Sequence, residues 1–260
     1  MKKRKYYGDK DFQYGDLRLP DSVGPFPVAV VIHGGFWRSA YGLDLMDDFC
    51  EALTAKGIAT WNIEYRRVGH AGGWPGTLID AARATDYLPK LQNDFNIDLD
   101  RVITIGHSAG GHLALWLAGR HNLPEDSELN VSPAPIKLCG AISLAGVSDL
   151  ALMQEVHELR GENDPVKDFL EGSPKDVPER YAQASPIQLL PIGIQQVLIH
   201  GSLDIEVPVG ISHHYIQAAK ESGDNAGLIE MPSAEHYKLI DPESEAWPTI
   251  LAEVKKLLDM

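Results

Sequence analysis

The feature that most constrains this chain is an apolar run that leads directly into a Gly-x-Ser-x-Gly pattern. Residues 101–105 read RVITI, which is typical of a buried strand. Gly106, Ser108 and Gly110 follow, and the residues through Gly119 are rich in Ala, Leu and Trp, as in a buried helix. Glycine on both sides of the serine lets the backbone turn sharply where a Cβ would clash. The pattern predicts a strand–turn–helix unit with Ser108 at the tip of the turn.

The rest of the chain alternates short apolar runs with longer segments of helical periodicity, which predicts βαβ units. The runs are almost continuously apolar, so the sheet should be covered by helices on both faces. We therefore predict an α/β fold with a mostly parallel central sheet. The predicted strands cover residues 28–32, 58–65, 101–105, 138–144, 196–199 and 228–231, and the predicted helices cover residues 77–92, 109–119 and 246–258.

One segment, residues 149–191, differs from this alternation. It is charged, has weak helical periodicity and carries five prolines, at positions 165, 174, 178, 186 and 191. We interpret it as a short lid-like insertion over the carboxyl edge of the sheet. No internal repeat or linker indicates a second domain, so residues 1–260 are predicted to form a single domain.

The charge balance argues against polyanionic partners. The chain of 260 residues has a net charge of -14. Nucleic acids and anionic membranes bind through Lys and Arg, so neither is expected as a partner. The only basic run, residues 2–5, is interpreted as a solvated terminus.

The sequence also bears on the cellular location of the protein and on the state of its two cysteines. The first residues lack the apolar stretch of a signal peptide, and no segment has the apolar length of a membrane span. We therefore expect a cytoplasmic, soluble protein. Cys50 and Cys139 have no metal-binding spacing and are expected to be free thiols, although one disulfide is formally possible. A homodimer is left open, because the amphipathic C-terminal helix suits a monomer core or a dimer equally well.

A serine hydroxyl becomes a useful nucleophile only beside a base that an acid orients. With this motif the chain order is Ser, then Asp or Glu, then His. His236 follows the last predicted strand and is the expected base. Asp204, in a tight loop after the strand at 196–199, is the expected acid. Asp149 also follows a strand and is the alternative, although a helix N-cap would equally explain it.

Backbone N–H groups are expected to form an oxyanion hole, which stabilises the negative charge of a tetrahedral intermediate. Ala109, directly after the nucleophile, supplies one donor. Gly35 or Phe36, in the loop after the strand at 28–32, supplies the other. Three further residues are candidates for the substrate pocket: Trp37, Trp74 and His107.

Four sequence blocks in order, HGGFWR, EYRRVGHAGGWPGTLIDA, GHSAGG and HGSLDIEVP, resemble the α/β-hydrolase superfamily. The similarity runs from about Gly15 to the C-terminus. The nearest branches are the hormone-sensitive-lipase-like esterases and the kynurenine formamidases. Phe36 replaces the third glycine of the lipase-like form, and His-Gly-Gly-x-Trp is closer to the formamidase form.

The resemblance implies an α/β-hydrolase fold. It also implies a triad of Ser108, Asp204 and His236, and oxyanion donors at Phe36 and Ala109. The Tyr65–Arg66 step would then be a structural corner. The block HGSLDIEVP also resembles prolyl-oligopeptidase-type enzymes, but a gated peptidase of that type is not expected, because only a short stretch precedes the predicted strand at residue 28.

These residues predict a serine esterase that cleaves a small carboxylic ester through an acyl-enzyme intermediate. An arylformamidase acting on amides of the N-formylkynurenine type is the alternative, because Trp37 and Trp74 could stack on an aryl ring. A non-catalytic ligand-binding homologue is the rival from another class. No cofactor or metal is expected, since a triad supplies its own base and electrophilic stabilisation.

Overall fold

The computed structural model describes residues 2–260, which form an eight-stranded sheet with helices on both faces. The strand order is β1-β2-β4-β3-β5-β6-β7-β8. The strands are β1 (Lys2–Tyr6), β2 (Tyr14–Arg18), β3 (Phe26–Ile32), β4 (Ala59–Ile63), β5 (Ile97–His107), β6 (Gly140–Leu144), β7 (Gln195–Gly201) and β8 (Ala226–Met231). The helices are α1 (Asp47–Thr54), α2 (Gly76–Thr85), α3 (Leu88–Gln92), α4 (Ala109–Gly119), α5 (Leu150–Arg160), α6 (Pro165–Leu170), α7 (Pro178–Ala184), α8 (Gly210–Glu221) and α9 (Trp247–Leu257).

Strands β4, β3, β5, β6, β7 and β8 pair in parallel, whereas β1 and β2 form an antiparallel edge. Side chains that alternate along β3 enter two separate cores. Val28, Val30 and Ile32 pack in the core that contains α2 and α4, and Ala29 and Val31 face the core of α1 and α9. This arrangement confirms the prediction of an α/β-hydrolase fold, and it explains why the strands read as continuously apolar.

Each predicted strand and helix of the core is present, with small changes in its bounds. Helix α4 has the bounds that the sequence predicted, residues 109–119, and β5 is longer than RVITI at both ends. The predicted helix 77–92 is divided into α2 and α3, because Pro89 in the first turn of α3 has no N–H to donate. Cys50 and Cys139 are free, as predicted.

Residues 2–5, interpreted as a solvated terminus, do have exposed or half-exposed side chains, but they are also part of the sheet. They form β1, which pairs with β2 from Lys2↔Arg18 to Tyr6↔Tyr14. Arg4 donates two hydrogen bonds to Asp16, at 2.8 and 2.9 Å, and Lys2 Nζ lies 2.8 Å from Asp47 Oδ2. Basic side chains suit an edge strand because their charge discourages pairing with a second sheet.

Residues 149–191 are more regular than their sequence suggested, with three helices and a short 3-10 helix at Pro186–Leu189. Asp149 caps α5 by accepting hydrogen bonds from the N–H groups of Ala151 and Leu152, and Asp164 caps α6 in the same way. The inner side chains of these helices, such as Met153 and Phe169, are completely buried. Among residues 2–260, no helix has the length and apolar character needed to cross a membrane.

Candidate active site

The turn at Ser108 is held by close backbone contacts. Ser108 has φ 56° and ψ -120°, a conformation that strains any residue with a Cβ. A Cβ on Gly106 would overlap the carbonyl oxygen of Gly110, and a Cβ on Gly110 would overlap the carbonyl oxygen of Ile32. Both glycines of the motif are therefore required by the packing of β5 and α4 against β3.

The carboxyl ends of β3, β5, β7 and β8 meet at the same edge of the sheet, where ligands of parallel α/β sheets usually bind. Ile32 pairs with Gly106 across β3 and β5, so the loop after β3 lies beside the turn at Ser108. Asp204 lies in the loop just after β7, and His236 follows β8 as the first residue of a 3-10 helix. The sheet thus brings residues from distant parts of the chain to one point.

Asp204 and His236 are in direct contact. His236 Nδ1 lies 2.6 Å from Asp204 Oδ2. The other carboxylate oxygen of Asp204 accepts hydrogen bonds from the backbone N–H groups of Glu206 and Val207, each at 2.9 Å. The carboxylate is therefore fixed on both sides, and it fixes the imidazole ring.

The charge on Asp204 follows from these contacts. Burial alone would raise the pKa of this carboxyl, but hydrogen bonds from His200 and His236, the charge of His236 and the Val207 N–H outweigh it. The pKa of Asp204 is held well below its ordinary value. Because an ionised carboxylate only accepts hydrogen bonds, His236 Nδ1 donates its proton to Asp204, and Nε2 is the ring nitrogen left to accept a proton from Ser108.

His107 supports the loop that carries His236. Its Nε2–H donates to the backbone carbonyl of His236 at 3.0 Å, and the two rings lie 4.4 Å apart. Burial, together with the charge of His236, lowers the pKa of His107 to about 3. His107 is therefore neutral at physiological pH, and it borders the cavity at Ser108 while using its ring to position a neighbour.

The loop after β3 has an unusual backbone. Gly35, Phe36 and Trp37 all have positive φ, at 107°, 50° and 56°. The Gly35 carbonyl accepts a hydrogen bond from the Arg38 N–H, whereas the N–H groups of Gly35 and Phe36 donate to no acceptor within residues 2–260. Ala109 is the first residue of α4, so its N–H has no intrahelical acceptor. All three expected oxyanion donors are thus unoccupied by protein groups.

A buried polar network holds this loop in place. His33 contacts the Gly34 carbonyl at 2.8 Å and Glu64 Oε1 at 3.0 Å through its two ring nitrogens. Tyr65 stacks on His33 and donates its hydroxyl to the His33 carbonyl at 2.8 Å. Arg66 donates three hydrogen bonds to Asp80, one from its backbone N–H and two from its guanidinium group. Tyr65 and Arg66 thus bind other residues of the protein, His33 and Asp80.

A cavity of about 120 Å³ lies at Ser108. Ser108 is only 2% exposed, and no hydrogen bond joins its hydroxyl to His236 or to another described residue. Bonds between a nucleophile and its base are often long in ligand-free structures and shorten when substrate binds. The cavity is lined by Gly35, Phe36, Tyr41, Leu45, His107, Ser108, Glu206, His236 and Tyr237.

Within residues 2–260, no cluster of three His, Cys, Asp or Glu side chains is arranged to bind a metal ion.

Two expected pocket residues lie elsewhere. Trp37 is 0% exposed, stacks on Phe169 at 4.6 Å between ring centroids, and donates its indole N–H to His112 at 3.2 Å. Trp74 donates its indole N–H to Glu128 at 3.2 Å, and Arg180 lies over its ring. Neither side chain lines the cavity, because the left-handed backbone at residue 37 and the helices of residues 149–191 direct both into packing.

Asp149, the alternative acid, is used elsewhere. Besides capping α5, it contacts His214 Nδ1 at 3.0 Å through its second oxygen. His200 contacts Ser212 and the Val207 carbonyl. Of the expected acids, Asp204 alone contacts His236 among the described residues.

Sequence reasoning missed four residues of the cavity wall: Tyr41, Leu45, Glu206 and Tyr237. Glu206 lies two positions after Asp204, and Tyr237 directly follows His236. The closeness of Glu206 and Tyr237 in sequence to the expected acid and base could have identified them as cavity residues. Tyr41 is not adjacent in sequence to the expected acid or base, and it reaches the cavity wall through its contact with Gly35.

We expect Trp37→Phe to lower the free energy of unfolding by about 2–3 kcal/mol. The smaller ring leaves space beside Phe169, and the buried His112 Nδ1 loses its donor. Urea denaturation measures this loss. The matched variant Trp74→Phe removes the same indole from an incompletely buried position and should destabilise less; equal losses would contradict the structural role of Trp37.

Comparison with known proteins identifies a family and relatives for this chain. Residues 16–218 match the model of the BD-FAE family. Esterase LipC of Mycobacterium tuberculosis is 27% identical over 257 residues, which cover 92% of this chain and 60% of LipC. The chain thus spans about 60% of the length of this curated relative.

Solved structures support the fold. A truncated form of a carbohydrate esterase from gut microbiota superposes with a TM-score of 0.84 at 18% identity, covering 99% of this chain and 95% of that one. The propionate-bound esterase Est2 of Thermogutta terrifontis has a TM-score of 0.77 at 21% identity, covering 99% of this chain and 93% of Est2. At these identities the likeness concerns the fold.

Proposed function

This chain belongs to the BD-FAE family and has the α/β-hydrolase fold, and from that premise we propose that it is a carboxylic ester hydrolase. The observation that carries the proposal is the 2.6 Å contact between Asp204 and His236 beside the cavity that Ser108 lines. Such an arrangement supplies a nucleophile, a base and an acid that orients the base. The esterase names of LipC, Est2 and the gut carbohydrate esterase are consistent with it.

The proposed reaction begins with attack of Ser108 Oγ on the ester carbonyl carbon. His236 Nε2 takes the hydroxyl proton, and the N–H groups of Ala109 and of Gly35 or Phe36 stabilise the oxyanion. His236 then gives the proton to the alcohol oxygen, the C–O bond breaks and the acyl group stays on Ser108. Water attacks this acyl-enzyme, its proton passes through His236 to Ser108, and the carboxylic acid leaves.

The substrate is proposed to carry a short acyl group. A cavity of about 120 Å³ is small beside the typical ligand pockets of about 300–1,000 Å³. The arylformamide alternative rested on the His-Gly-Gly-x-Trp resemblance and on stacking by Trp37 and Trp74, and neither tryptophan lines the cavity. Esters of small acids therefore fit this cavity, and the two tryptophans give no support to the arylformamide alternative.

We expect kcat/KM to fall in the order p-nitrophenyl acetate, butyrate and octanoate, because the small cavity at Ser108 also borders the alcohol and leaves little room for a longer acyl chain. Steady-state hydrolysis measures all three, and they share one leaving group, so the comparison isolates the acyl part. Fastest turnover of octanoate would contradict the short-acyl proposal. Hydrolysis of none of the esters, followed by cleavage of N-formylkynurenine, would replace the esterase proposal with the arylformamidase.

A further inference from the structure

The carboxylate of Glu206 stands in the wall of the catalytic cavity without a counter-ion. Glu206 is exposed, and no Lys, Arg or His side chain within residues 2–260 forms an ion pair with it. The nearby Arg160 donates to the carbonyl of Ile205 at 3.0 Å, and not to the Glu206 carboxylate. No Lys or Arg is among the residues that line the cavity. The wall therefore carries an uncompensated negative charge.

Two tyrosines line the same cavity. Tyr41 is 44% exposed and packs against Gly35 of the loop after β3, and Tyr237 is 48% exposed. Burial, the adjacent Tyr41 hydroxyl and the charge of Glu206 raise the pKa of Tyr237 to about 12, so the phenol is neutral. Neutral aromatic rings attract cations through their electron-rich faces, more strongly where a carboxylate is close.

The position of these groups indicates which part of an ester they contact. His236 returns its proton to the alcohol oxygen, so the departing alcohol lies beside His236. The Tyr237 ring is 5.3 Å from the His236 ring, and Glu206 follows Asp204 in the adjoining loop. Both side chains therefore lie on the alcohol side of the scissile bond.

We propose that Glu206, Tyr41 and Tyr237 form a subsite for a positively charged alcohol, so that the protein prefers esters of ammonium alcohols to neutral or anionic ones. The preference rests on the proposed ester hydrolysis. The net charge of -14 acts in the same direction, because it raises the local concentration of cations and lowers that of anions. A carboxylate in the wall cannot form a favourable contact with an anionic alcohol.

The test compares kcat/KM for acetylcholine with that for its neutral isostere, in which a carbon atom replaces the ammonium nitrogen. The shapes are nearly equal, so the ratio of the two values reports charge alone. We expect wild type to favour the cation by about tenfold. In Glu206→Gln the ratio should fall towards one, and increasing salt should reduce the wild-type preference.

Glu125→Gln is the matched control, because it removes the same charge from an exposed loop that does not border the cavity. It should keep the wild-type ratio. A ratio near one in wild type overturns the proposal. An equal loss on both esters in Glu206→Gln also overturns it, since Glu206 would then act on His236 and not on the alcohol.

Hydrolysis of p-nitrophenyl acetate separates this inference from the function on which it rests. If wild type does not hydrolyse that ester in a Ser108-dependent way, the esterase proposal fails. If it does, but neither choline-shaped ester is a substrate, competitive inhibition by choline decides the question. Inhibition of wild type and its loss in Glu206→Gln support the subsite, and absence of inhibition overturns it.

Discussion

Replacing Ser108 with alanine is expected to lower kcat for p-nitrophenyl acetate by about 10⁵-fold or more. The variant keeps the Cβ and the backbone of the turn but has no oxygen to attack the carbonyl carbon. The remaining rate over water would come from the N–H groups of Ala109 and Phe36 and from binding. Steady-state kinetics at high enzyme concentration measures the loss, and circular dichroism verifies that the fold is retained.

The companion variant Ser108→Gly separates chemistry from strain. It lacks the hydroxyl as well, so its activity should be as low as that of the alanine variant. Glycine accepts φ 56° and ψ -120° at little cost, so Ser108→Gly should be about 1–2 kcal/mol more stable than Ser108→Ala. Turnover near the wild-type value in either variant would exclude Ser108 as the nucleophile and favour a non-catalytic or differently organised site.

Asp204→Asn is expected to lower kcat by about 10³–10⁴-fold with little change in KM. The amide is similar in size to the carboxylate, but an N–H directed at His236 Nδ1 would place the imidazole proton on Nε2. Nε2 could then not accept the proton of Ser108. Loss of the negative charge would also remove the stabilisation of the imidazolium that forms during the reaction.

Asp149→Asn is the matched control, because Asp149 was the alternative acid. Asparagine is as good an N-cap as aspartate, so α5 should be retained and the free energy of unfolding should change by less than about 0.5 kcal/mol. kcat should stay near the wild-type value. A large loss in Asp149→Asn together with an active Asp204→Asn would exchange the roles of the two carboxylates.

The local structure around Ser108 was predictable because it depends on residues adjacent in the chain. The continuous apolar run predicts a strand with both faces covered, and the glycines predict a turn that no Cβ can enter. The bounds of α4 follow from the end of that turn. The order of Ser108, Asp204 and His236 also indicated which loops should meet, because the carboxyl ends of parallel strands lie at one edge of the sheet.

The direction of side chains in the loops was decided by tertiary structure alone. Trp37 follows two residues with positive φ, which turns its indole away from the cavity and onto Phe169. Tyr41 enters the cavity wall through its packing on Gly35, a contact that no periodicity encodes.

Residues 2–5 show the same limit at the edge of the sheet. Their basic side chains read as a solvated terminus, yet backbone pairing with β2 and the carboxylate of Asp16 hold them as a strand. Elements whose conformation comes from neighbouring residues can thus be read from the amino-acid sequence. Positions whose partners lie far along the chain, such as Trp37 on Phe169, are determined only when the chain has packed, because their contacts depend on the whole fold.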